Sequence, residues 1–281
     1  MSARNFSELL RAKWNEGKFL CVGLDPVAER LPEQWKGRAD VTTAAGEFLR
    51  AIVDATADVV CCYKPNSAFY EALGADGMRE LSGLTEYIRA HAPTAGIILD
   101  AKRGDIQDTN VAHAKAMFDV FGADAVTVQP YLGGAALVPY LERKDKGTLV
   151  LCRTSNKGAG EFQDLVVEGL PLYQIVAKRA QEQWNTNGNC GLVMGATYPK
   201  ELAAVRALGV DLPFLIPGVG AQGGGLAETV AAGKDSHGQG IIINASRSII
   251  FASSGPDFAD AARKEAQRMD EEIRRALRSV T

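Results

Sequence analysis

Eight short apolar runs punctuate the chain, and each is followed by a stretch with helical spacing. The runs are FLCVGLDP (19–26), DVVCCYKPN (58–66), AGIILDAK (95–102), AVTVQP (125–130), GTLVLCRTSN (147–156), CGLVMGATYP (190–199), PFLIPGVGAQGGG (213–225) and GIIINASRSII (240–250). Contiguous β-branched and apolar residues without strict alternation mark strands buried on both faces. Between them lie helical patterns such as TTAAGEFLRAIVDATA, IQDTNVAHAKAMF, GGAALVPYLER, PLYQIVAKRAQEQW and KELAAVRALG, and a charged helix closes the chain. Strict alternation implies parallel strands joined by right-handed crossovers. Eight such units in about 250 residues predict a closed (β/α)8 TIM barrel. An open doubly wound sheet is the alternative, and it is disfavoured because no G-x-G-x-x-G follows the first strand. No linker or low-complexity segment divides the chain, so residues 1–281 are expected to form a single domain.

A barrel of this kind gathers its active site at the C-terminal ends of its strands. Those ends offer Asp25, Lys64 with Asn66, Asp100 with Lys102, Arg153-Thr154-Ser155, the stretch from Pro217 to Gly225, and Asn244, Ser246 and Arg247. The third is the most telling. Residues two apart on a strand project to one side, so the opposite charges of Asp100 and Lys102 emerge together where a buried strand stops. Asp105 follows at the start of a helical pattern; it fits an N-cap, with Asp108 in the acidic position of a capping box. Charges withdrawn from water must be matched or used, and three within six residues point to a functional cluster.

Composition narrows the chemistry. Net charge is -3 with a pI of about 5.7, and no Lys/Arg run suggests nucleic acid. No apolar segment approaches the roughly 18–20 residues that span a bilayer, and the polar start, MSARNFSELLRAKW, is unlike a signal peptide, so a cytoplasmic address is expected. Cys21, Cys61, Cys62, Cys152 and Cys190 sit in apolar runs and read as reduced core residues. The scattered His91, His113 and His237 argue against a zinc site and a Ser/His/Asp triad. Carboxylates and lysines are left to carry the reaction.

The seventh and eighth strand ends add a second element. PGVGAQGGG is a glycine-rich loop whose backbone N–H groups can wrap an anion, Gln222 adds an amide donor, and strand eight delivers Arg247 beside it. Barrels commonly hold a phosphate at this place.

Taken in order, Gly23-Leu24-Asp25, Tyr63-Lys64-Pro65, Asp100-x-Lys102-x-x-Asp105-Ile106, Pro217-Gly218-Val219-Gly220 with Gln222, and Ser246-Arg247-Ser248-Ile249 resemble the orotidine 5′-monophosphate decarboxylase family, with Lys-Arg-Gly-Asp-Ile similar to its bacterial type 2 branch. The resemblance implies a homodimeric barrel with shared active sites that converts orotidine 5′-monophosphate to uridine 5′-monophosphate and CO2, the last step of de novo UMP synthesis, without metal or organic cofactor. It implies that Lys64, Asp100, Lys102 and Asp105 form the charged array, with Asp105 and Thr109 entering the partner's site. It further implies that Asp25 and Lys64 hold the ribose hydroxyls, Ser155 the pyrimidine, and Gln222 and Arg247 the phosphate, with the Pro217 turn beside them. The family usually has Gly where this chain has Ser246, so a hydroxyl is added there. Asn66 and the 156–169 loop have no assigned partner.

Loss of CO2 from C6 leaves an electron pair the ring cannot delocalise, so a fixed ammonium at that carbon is the simplest remedy. Lys102 is expected to stabilise the carbanion and then protonate it, with carboxylates beside it favouring an ammonium over an amine. Three rival readings stand: a Mg²⁺-dependent sugar-phosphate decarboxylase or hexulose-phosphate synthase sharing D-x-K-x-x-D, a Schiff-base aldolase using Lys102 or Lys64, and a non-catalytic nucleotide-binding barrel.

Overall fold

The computed structural model describes residues 4–219 and 225–278. Among them, eight parallel strands close into a barrel: β1 (Leu20–Gly23), β2 (Cys62–Lys64), β3 (Gly96–Arg103), β4 (Ala125–Val128), β5 (Gly147–Arg153), β6 (Cys190–Met194), β7 (Phe214–Pro217) and β8 (Ile241–Ala245). They neighbour one another in chain order, and β8 pairs with β1 to close the ring. The expected TIM barrel is therefore the observed fold. Its strands are buried from end to end in β1, β4, β6 and β8, because side chains inside the barrel pack on each other and those outside pack on helices.

The surrounding helices supply the outer half of the core. In Val41–Thr56 the residues Ala45, Phe48, Leu49, Ile52 and Val53 recur on one face, and in Phe258–Arg278 so do Phe258, Ala262, Ala266, Met269 and Ile273. Fully buried side chains such as Phe48 and Ile52 each contribute about 1.5–3 kcal/mol of burial. All five cysteines are buried and unpaired, in line with their apolar runs. No helix among the described residues is long and apolar enough to cross a membrane.

Three local departures from the sequence reading bear on the site. Strand β3 continues through the charges to Arg103, and its register with β4 shifts between Leu99 and Arg103. Within that irregularity Lys102 takes a φ of 45°, a left-handed backbone costing on the order of 1–2 kcal/mol for an L-residue, held by its N–H donating to Thr127 Oγ1 at 3.0 Å. Next, the following helix begins at Gln107 with Ile106 at its N-cap, so Asp105 is not the cap; its Oδ1 accepts instead from the adjacent Ile106 N–H at 2.6 Å. Lastly, the 156–169 loop has structure of its own, a helical turn Gly160–Gln163 and a hairpin pairing Val166–Val167 with Leu170–Pro171. Glu168 and Gly169 both have positive φ in that hairpin's two-residue turn.

Candidate active site

Asp100 is the hub. Its Oδ2 accepts from Lys64 Nζ at 2.9 Å, and its Oδ1 accepts from Lys102 Nζ at 2.6 Å and from Thr127 Oγ1 at 2.8 Å. The strands place these groups: β2 ends on Lys64, β3 carries Asp100 and Lys102 on one side, and β4 offers Thr127. Burial alone would raise the Asp100 carboxyl, yet Lys64 and Lys102 outweigh it and hold the group well below the usual carboxylate range. Burial alone would likewise lower the Lys64 ammonium, and Asp100 and Asp25 reverse that, pushing it above an ordinary lysine. The two lysines differ in access. Lys64 is 3% exposed, whereas the Lys102 side chain is 50% exposed.

Lys64 and Asp100 line a cavity of about 480 Å³ at the C-terminal mouth of the barrel. Of the residues singled out from sequence, Asp25, Lys64, Asn66, Asp100, Ser155, Pro217, Asn244, Ser246 and Arg247 line it. Lys102 is not among the lining residues and is joined to them by its bond to Asp100. Arg247 is exposed and opens the short helix Arg247–Ile250. Ser246 comes so close to β1 that a Cβ on Gly23 would lie 1.8 Å from Ser246 Oγ, so glycine at position 23 is what makes room for the serine. Gln222 lies outside the described residues.

Asp105 and Thr109 are not brought to this cavity. The described ion pairs join Lys102 to Asp100 and do not include Asp105, whose N–H donates to Asn110 Oδ1 at 3.1 Å. The neighbouring Ile106 is an apolar side chain, 64% exposed.

The structure gives roles to residues that had none and adds others. Asn66 lines the cavity, caps the helix Ser67–Glu71 by accepting from Ala68 N–H at 3.2 Å, and donates its own N–H to Asp25 Oδ1 at 3.2 Å, fixing that carboxylate. Asn244, offered by the eighth strand end without a role, is buried at the cavity with an unpartnered Oδ1, whereas Phe69 and Thr127 were not anticipated as site residues. Thr127 did leave a trace, as the one polar side chain in the run AVTV. Phe69 left none, since it reaches the mouth from a helix after β2. No group of three or more His, Cys, Asp or Glu among the described residues is arranged to hold a metal ion.

Such a site presents an ammonium held by a carboxylate beside a nucleotide-sized hollow, with a guanidinium in its lining. It can bind an anion at Arg247 and set positive charge against a reacting centre near Lys102. Comparison with known proteins points the same way. Residues 18–264 match the model of the "Orotidine 5'-phosphate decarboxylase / HUMPS family". An orotidine 5′-phosphate decarboxylase of Janthinobacterium sp. (strain Marseille) is 48% identical over 97% of this chain and 99% of its own, and one of Azoarcus sp. (strain BH72) is 50% identical over 93% and 96%. Among solved structures, the OMP decarboxylase of Leishmania donovani superposes with a TM-score of 0.84 at 40% identity, covering 97% of this chain and 98% of that one.

Proposed function

The chain belongs to the orotidine 5′-phosphate decarboxylase / HUMPS family, and on that premise we propose how its cavity carries out the reaction. The protein is a carboxy-lyase that converts orotidine 5′-monophosphate to uridine 5′-monophosphate and CO2, the closing step of UMP biosynthesis. Lys102 is the central group. As the C6 carboxylate leaves, its ammonium faces the developing carbanion, lowers its energy electrostatically and then transfers a proton to C6. The observation that carries this reading is the Lys102–Asp100–Lys64 chain of contacts, 2.6 Å and 2.9 Å long, at the cavity mouth. A fixed array in a partly dry site acts far more strongly than the same charges in water.

The substrate lies with its ribose against Asp25 and Lys64, its pyrimidine at Ser155 and its phosphate at Arg247, the Pro217 turn, Ser246 and Gln222. Phosphate binding is remote from C6 yet holds the ring in register, so truncating Arg247 raises KM and lowers kcat/KM. Asp105 and Thr109 complete the site of a second copy in a homodimer. Their absence from the lining of their own cavity and the exposed Ile106 next to Asp105 support this assignment. We read residues 1–281 as one domain working in the cytoplasm.

The test follows the absorbance loss of orotidine 5′-monophosphate with protein dialysed against EDTA. Undiminished turnover is expected; loss of activity restored by Mg²⁺ would favour the metal-dependent branch of the family. Mixing Lys102→Ala chains with Asp105→Ala chains tests the shared site, because a mixed dimer regains one intact site, and failure to regain any activity would refute it.

A further inference from the structure

The loop after β5 is folded outside in. Its apolar residues Phe162, Leu165, Val166 and Val167 are 58%, 53%, 67% and 48% exposed, while the polar Gln163 among them is turned toward the barrel. A loop shaped for its own stability would do the reverse. Gln163 uses its inward position on the two residues just before Ser155. Its Oε1 accepts from Thr154 N–H at 2.9 Å and from Arg153 Nη1 at 3.3 Å, and its Nε2 donates to Thr154 Oγ1 at 2.8 Å. The opposite amide orientation would set an NH2 group against two donors, so the arrangement has one sense.

Arg153 anchors the latch from below. It is 3% exposed, its Nη2 pairs with Asp164 at 3.1 Å, and its guanidinium lies 4.1 Å from the Tyr198 ring centre. Ser155 also packs on Gly195, the residue that follows β6. A Cβ on Gly195 would fall 2.8–2.9 Å from Ser155 N, Cα and Cβ, and Gly195 N–H donates to Arg153 O at 2.7 Å. Ser155 thus lies against a glycine backbone and directly follows the two residues that the Gln163 amide holds, and it lines the cavity.

We propose that Gln163 is a positioning residue that fixes Ser155 in the place from which it contacts the substrate's pyrimidine. This rests on Ser155 being the pyrimidine contact, and it assigns the 156–169 loop the task of holding that contact at the cavity wall. The latch acts on the pyrimidine half of the substrate and leaves the phosphate half alone.

The experiment is a double-mutant cycle on the full chain: Ser155→Ala, Gln163→Ala and the pair, read as kcat/KM for orotidine 5′-monophosphate, with competitive inhibition by inorganic phosphate as the control. Each single variant is expected to lower kcat/KM by about tenfold, the worth of one substrate hydrogen bond. The pair should lose no more than Ser155→Ala alone, since Gln163 acts through that serine. Gln163→Glu, which keeps the acceptor for Thr154 and Arg153, should restore near-wild-type values, and inhibition by inorganic phosphate should not change. Gln163→Met keeps the side-chain length without the amide and replaces Gln163→Ala if the latter lowers the melting temperature. A pair whose loss is the product of the singles, or a silent Gln163→Ala and Gln163→Met beside an impaired Ser155→Ala, would overturn the inference alone. A silent Ser155→Ala would overturn the pyrimidine assignment and the inference with it.

Discussion

Replacing Asp100 by Asn removes the charge that two lysines share, and the effect on stability can be worked from the site. Lys64 is 3% exposed, so its ammonium would be left buried without its partner; breaking such a pair from one side costs about 3–5 kcal/mol. The cost also has a ceiling. Lys64 can shed its proton, which at about pH 7 takes ~4.6 kcal/mol for a group of ordinary pKa about 10.4, at 1.36 kcal/mol per unit. Asparagine keeps one acceptor oxygen, and Lys102 is half in water, where its pairing is worth little, so about 3–4 kcal/mol is expected. At roughly 2–4 °C per kcal/mol the melting temperature should fall by about 6–16 °C. The pH dependence has a definite sign. In the native protein Asp100 and Asp25 raise Lys64 above its unfolded value despite burial, so its contribution is complete below about pH 10.4 and is lost only as pH rises through the higher folded value. In Asp100→Asn burial prevails and the folded value drops below the unfolded one. The unfolded chain then binds more protons between the two, and stability rises with pH. Urea denaturation followed by tryptophan fluorescence, at about pH 7 and about pH 9.5 and at one protein concentration, should show a gap from wild type that narrows toward the higher pH at constant m. A variant as stable as wild type, or a gap that widens with pH, would refute the reasoning.

Other parts of the fold answer to simpler changes. Gly23→Ala places a methyl 1.8 Å from Ser246 Oγ at the cavity wall and should lower kcat/KM by about 10²-fold, with recovery to within a few fold in the Gly23→Ala/Ser246→Gly double variant. Arg206 donates to the carbonyls of Gly233, Val210, Leu212 and Gly240 and stacks 3.6 Å from the Phe214 ring centre, and burial pulls its pKa down to about 10. Arg206→Ala leaves those acceptors unpaired and should cost about 3 kcal/mol in urea denaturation, with kcat of the folded fraction unchanged because the residue does not line the cavity.

Much of the barrel was legible because each of its strands is an apolar run buried on both faces, a pattern no amphipathic helix imitates at that length. The pairing of Asp100 with Lys102 was legible for the same local reason, two residues on one side of a strand. What escaped depends on contacts between elements. Asp-Ile-x-Asp reads as a capping sequence, yet Asn110 takes the Asp105 N–H and the helix starts two residues later. The left-handed backbone falls on Lys102 although Gly104 stands nearby, because Thr127 from β4 holds the Lys102 N–H. Gln163 was silent in sequence since its partners precede it by nine and ten positions across an irregular loop. Asp105 and Thr109 find no role within their own chain's cavity, and their proposed partners belong to a second copy.

The most direct measurement compares Lys102→Ala with wild type in two assays at once, turnover of orotidine 5′-monophosphate and calorimetric binding of uridine 5′-monophosphate. Loss of both charge stabilisation and proton donation should lower kcat by about 10⁴-fold or more, the product of the two ordinary magnitudes, while product binding stays within about tenfold. A variant that turns over within tenfold of wild type would contradict the assignment of Lys102, and with it the account of how this barrel removes CO2.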